Sequence, residues 1–166
     1  MTHRLRLPKT TWEMLIRDLR RPHPVVHERL GLLACKTGSA TGGAVVFLPI
    51  DYTSMPDNLY ETSESDLSVL IGSKAINFAM SYALKTKLSC LLVHLHDHNG
   101  VPRLSNPDKF HGPNMVRALQ NSNRWVSQGY VVLSRNACAG LVATPGSEPA
   151  LSKFVTSIIS NKLEVR

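Results

Sequence analysis

The chain has 166 residues, of which 43% are hydrophobic and 19% charged. That length fits a single domain, 1–166, which can bury an apolar core without a disulfide scaffold, and the composition excludes disordered and fibrous classes. The formal charge of +7 admits an anionic partner, but Glu13 and Asp18 interrupt the cations Arg4, Arg6, Lys9, Arg17, Arg20 and Arg21, and aromatics total only 6%, so a nucleic-acid binder is disfavoured.

Cys35, Cys90 and Cys138 are odd in number, widely spaced and set in apolar stretches. They read as buried free thiols in a reducing compartment. The N-terminus has no leader-like apolar segment, and no apolar run approaches the ~20 residues of a membrane span. A soluble, cytoplasmic protein is expected.

In chain order, LRLP at 4–7 alternates like a short edge strand. Thr10 and Glu13 have capping-box spacing, and Trp12, Leu15, Ile16 and Leu19 follow a helical period that ends before Pro22 and Pro24. VVHERLGLLACK (25–36) and AVVFLPIDYT (44–53) read as two strands of a hairpin across TGSATGG. Residues 66–87 read as an amphipathic helix with apolar positions at Leu67, Leu70, Ile71, Ile76, Ala79, Met80 and Ala83. LSCLLVHLH (88–96) is an apolar strand, 114–123 a short helix, 129–144 a second hairpin turning at Ser134–Asn136, and the tail beyond 150 a strand. The fold class expected is α+β, helices packed on a sheet.

His94 and His96 stand two apart at the end of a strand, so both imidazoles face one side. Asp108 follows His96 by twelve residues. Two imidazoles and a carboxylate leave a fourth position open on tetrahedral zinc, the arrangement of a hydrolytic site. Glu28 is an acid in an otherwise apolar stretch and suits a general base, and Ser105 suits an oxyanion donor. Asp97 could support a ligand, and His98 and His111 could do so or contact substrate. Trp12 and Trp125 read as core or rim anchors.

Glu28 shortly before Gly31-Leu32-Leu33, then His94-Leu95-His96, then Ser105-Asn106-Pro107-Asp108, resembles the JAMM motif of the MPN/JAB metallopeptidases, in particular the compact bacterial members. The resemblance spans about 10–145. It implies a curved, mixed but mainly antiparallel sheet flanked by helices, of the MPN/JAB, cytidine-deaminase-like kind. It implies zinc on His94, His96 and Asp108, with Glu28 and Ser105 catalytic. It also implies an isopeptidase or precursor-processing activity at the C-terminus of a ubiquitin-like protein, with ubiquitin-activating-like and conjugating-like enzymes as further partners, as in bacterial antiphage systems. The substrate tail would pair with a free strand edge, between loops at 52–65 and 99–113. The sequence departs from the family where Asp97 replaces proline after the second histidine, and where eight residues rather than seven separate His96 from Ser105. His96 and His98 therefore remain an alternative pair. The rival class is a non-catalytic MPN-type scaffold that binds a partner protein.

Overall fold

The computed structural model describes residues 2–61 and 72–159. β1 (Thr2–Pro8) turns His3, Leu5 and Leu7 inward and its intervening residues outward, the period-two pattern of a strand. α1 (Lys9–Leu19) follows directly and buries Trp12, Leu15, Ile16 and Leu19. Pro8 is its cap residue, so Thr10 lies inside the first turn instead of capping it.

The segment after α1 differs from expectation. β2 runs only over Leu30–Ala40, and 25–29 are irregular. The N–H groups of Val25 and Val26 both donate to His23 Nδ1, at 3.1 and 3.2 Å, so they are not available to a neighbouring strand. Buried Arg29 donates to the carbonyls of Arg21 and Pro22 at 2.8 and 2.9 Å and to both oxygens of Asp57, which ties this loop to its surroundings. Glu28 therefore sits on a braced loop, not on a strand.

β2 pairs antiparallel with β3 (Ala44–Ser54) through a tight link in which Gly42 and Gly43 both have φ of +74°. It also pairs antiparallel with β4 (Ser89–Leu95). α2 (Ser73–Thr86) precedes β4 and buries Ala75, Ala79 and Ala83, one residue per four. The part of that expected helix carrying Leu67, Leu70 and Ile71 falls outside the described residues. β4 runs parallel to β5 (Gln128–Leu133) after a crossover through α3 (Asn106–Ser122). β5 and β6 (Cys138–Ala143) form the expected second hairpin, and β7 (Ala150–Ile159) pairs antiparallel with β6.

β7 also pairs parallel with β1 over Thr2↔Lys153 to Pro8↔Ile159, and β1 pairs parallel with β3 at Arg4↔Val46 and Leu5↔Phe47. The strands thus close into a barrel in the order β1-β3-β2-β4-β5-β6-β7. This overturns the expected α+β architecture, a curved MPN/JAB-type sheet flanked by helices. β1, expected at an edge, lies between β3 and β7 and joins the two ends of the sheet. The result is a closed seven-stranded mixed barrel, which satisfies backbone groups that an open edge leaves exposed.

Two apolar clusters flank the strands. On one face α1 packs on Leu5, Leu33, Phe47, Leu91 and Val131. On the other, α2 and α3 cover Leu32, Leu92, Val132 and Leu141 with Ala79, Met115, Val116 and Leu119. β4, β5 and β6 are consequently buried at every position, which accounts for their continuous apolar runs. Cys35, Cys90 and Cys138 are free and buried. Among the described residues no helix is long and apolar enough to cross a membrane.

Candidate metal centre

His94 is the last residue but one of β4, on the face shared with Tyr130 and Leu92. His96 lies just beyond the strand, but its N–H donates to Leu133 O at 2.9 Å and carries the β4–β5 pairing one step further. The two-residue period is preserved, so the imidazoles converge and their Nε2 atoms stand 3.2 Å apart.

Asp108 arrives from α3. That helix starts at Asn106, eight residues before the expected 114, so the expected loop over 99–113 is shorter. Ser105 caps it: Ser105 Oγ accepts from the Asp108 N–H at 3.2 Å, while the Ser105 N–H and Oγ–H each donate to Asp108 Oδ2 at 2.7 Å. The Ser-x-x-Asp pattern is therefore a capping box whose acid also points into the site. In this arrangement the Ser105 hydroxyl proton is held by Asp108. It orients that carboxylate.

Tyr130 of β5 supplies the other support, donating to Asp108 Oδ1 at 2.8 Å. Burial by itself would raise the Asp108 carboxyl, but His94, Ser105 and Tyr130 together hold it below the usual carboxylate range. Burial and the Asp108 charge push the Tyr130 hydroxyl up, so it remains a donor. Burial, and then His94, lower the His96 imidazole, which favours its neutral, ligating form.

Around these atoms the spacing is uniform. His94 Nε2 lies 3.3 Å from Asp108 Oδ1 and 3.7 Å from Glu28 Oε2. His96 Nε2 lies 3.6 Å from Asp108 Oδ2 and 3.6 Å from Glu28 Oε1. Bonds of ~2.0–2.1 Å to a tetrahedral ion place neighbouring ligand atoms about 3.3–3.4 Å apart. Glu28, His94 and His96 accordingly form a group that could hold a metal ion, a group that does not include Asp108. Asp108 is as close to both imidazoles as Glu28 is. The two carboxylates differ in setting: the Asp108 side chain is 6% exposed and doubly anchored, and that of Glu28 is 38% exposed on its loop. His94 Nδ1 is buried with no protein partner among the described residues, and the Tyr130 ring, with centroids 5.2 Å apart, packs against its imidazole.

Of the two histidine pairs left open by sequence, His94 and His96 meet. His98 Nδ1 bonds instead to Asn99 O at 2.8 Å, and its ring centroid is 6.4 Å from that of His96. Asp97 does not support a ligand: it pairs with Arg135 at 2.8 Å and with Arg20 at 2.7 Å, bridging α1 and the β5–β6 turn. His111 lies in α3 against Phe110, and His27 is exposed. Trp12 is a core anchor whose Nε1–H donates to Arg135 O at 3.3 Å, whereas Trp125 is 76% exposed with Arg124 over its ring. Sequence reasoning missed Tyr130 and Arg29. The signal for Tyr130 was an aromatic with a polar tip in an aliphatic, fully buried strand, since a buried hydroxyl seeks a partner. No protein-family model and no curated protein matches the chain.

Proposed function

We propose that this protein is a zinc-dependent hydrolase that cleaves amide bonds at the C-terminus of a ubiquitin-like protein. The observation that carries the proposal is that the His94 and His96 Nε2 atoms stand 3.2 Å apart, each with a Glu28 and an Asp108 carboxylate oxygen at 3.3 to 3.7 Å. Two imidazoles with carboxylate suit zinc better than magnesium or calcium, which prefer oxygen alone. His94, His96 and Asp108 would hold the ion, Asp108 because its lone pairs are already fixed by Tyr130 and Ser105.

Bound there, zinc supplies Lewis acidity that makes water acidic near neutral pH and polarises a carbonyl. Glu28, reachable from solvent and close to both imidazoles, accepts the proton of the attacking water at a carboxylate oxygen. The same carboxylate returns that proton to the departing amine. Arg29 holds the Glu28 loop in place through its bonds to Arg21, Pro22 and Asp57. The ubiquitin-like substrate class is supported by the order of the motif, which resembles that of the JAMM peptidases.

The test is cleavage of a panel of ubiquitin-like fusions with and without chelator. Cleavage should stop with chelator and return with zinc. Glu28→Ala should abolish turnover and leave zinc bound, whereas Asp108→Ala should lose the zinc. A Glu28→Ala protein that keeps substantial activity would remove Glu28 from the mechanism. A zinc-loaded wild type inert toward every fusion would favour a partner-binding scaffold.

A further inference from the structure

The residues that lead into α3 do more than deliver Asp108. Beside them opens a cleft of about 440 Å³, lined from three elements: Arg103, Leu104 and Lys109 around the α3 start, Leu141 of β6, and Leu151 and Lys153 of β7. Its floor is apolar. Leu104 and Leu141 are nearly buried, and Leu151 is 67% exposed, a large apolar side chain left open to water. Its rim is cationic. Among the described residues Arg103, Lys109 and Lys153 have no ion-pair partner, whereas Arg20, Arg21, Arg29, Arg117 and Arg135 do. Leu104 and Lys109 adjoin Ser105 and Asp108 in the chain, so the α3 start contributes residues to both the cleft and the metal centre.

We propose that this cleft binds an extended acidic peptide segment, one that places an apolar side chain over Leu104, Leu141 and Leu151 between carboxylates that meet Arg103, Lys109 and Lys153. Unpaired cations around an apolar floor are complementary to an anion with an apolar body. The cleft is open to solvent and takes part of its floor from β6 and β7, so an extended peptide can lie along it with its charged side chains at the rim. A segment with arginine or lysine beside the apolar residue is repelled by the same rim. In naming the occupant as part of the substrate, the proposal rests on the hydrolase reading and makes that substrate acidic next to the scissile region. The binding itself needs neither metal nor turnover.

The experiment measures fluorescence anisotropy of a labelled pentapeptide alternating aspartate and leucine, at low salt and in excess chelator, against the same peptide with lysine for aspartate. The acidic peptide should bind at least tenfold more tightly and weaken as salt rises. Lys153→Glu and Arg103→Glu should each lower its affinity severalfold, and the double variant should reverse the preference toward the lysine peptide. A misfolded variant would lose both peptides, so reversal cannot arise from unfolding. Equal binding of the two peptides, an unchanged preference in the double variant, or displacement by oleate of a probe that no acidic peptide displaces would overturn the proposal. Because chelator is present throughout, a failed hydrolase reading leaves the binding result intact, and the reverse also holds.

Discussion

Tyr130→Phe removes one atom from the support of the centre and keeps the packing. The hydroxyl donates to Asp108 Oδ1 at 2.8 Å inside the fold, and after its loss Asp108 keeps the two Ser105 donors and the His94 imidazole. Phenylalanine needs no partner, so the cost falls on a buried carboxylate that has lost a charge-assisted hydrogen bond worth about 1.5–3 kcal/mol. Taking about 2 kcal/mol, a chain of this length should melt about 4–8 °C lower. A partner lost from behind a ligand should also weaken metal binding by about 10- to 100-fold. Both quantities are read on one preparation: thermal melting in chelator, then zinc titration against a competing chelator. If the variant melts within a degree of wild type and binds zinc equally well, Tyr130 does not hold Asp108 and the assignment of Asp108 as a ligand loses its main support.

Arg29→Ala should release the Glu28 loop from Arg21, Pro22 and Asp57, costing about 2 kcal/mol in urea unfolding and reducing kcat more than zinc affinity. Equal losses of both would mean that Arg29 supports the whole centre. Gly140→Ala would place its Cβ 2.2 Å from Tyr130 O, a backbone atom of the neighbouring strand that cannot swing away; a loss above about 2 kcal/mol is expected, and near-neutral stability would contradict the β5–β6 register. Cys90 and Cys138 are pushed up to about 12 by burial. The unfolded chain therefore loses these protons first, and stability should fall as pH rises from about 9 to about 12. Burial also raises the Cys35 thiol, so Cys90→Ala with Cys138→Ala should make that fall shallower without abolishing it; an unchanged profile would place its cause elsewhere.

The convergence of His94 and His96 was legible because a strand fixes side-chain direction by period alone, so the two imidazoles had to share a face once LSCLLV was read as a strand. The same holds for α1, whose four buried residues follow from helical spacing. Glu28 was legible as an unusual acid, but its loop was not. That loop depends on His23 and on the reach of Arg29 to Asp57, contacts that no local pattern states. The start of α3 was obscured by Pro107, Gly112 and Pro113, which locally signal a turn. The helix continues past Pro113, and the capping box at Ser105 is the feature that marks its true beginning. Barrel closure was hidden for a different reason. β1 reads as an edge strand by its own residues, and its parallel partners β3 and β7 lie far along the chain, where pairing is chosen by global packing.

X-ray absorption at the zinc edge, on protein loaded with zinc and gel-filtered, examines the shared centre directly. The expected result is a single zinc per chain surrounded only by nitrogen and oxygen at ~2.0–2.1 Å, with the signature of two imidazoles that falls to one in His94→Ala and in His96→Ala. A chain that retains no zinc, or a shell containing sulfur at ~2.3 Å, would contradict a centre built from Glu28, His94, His96 and Asp108.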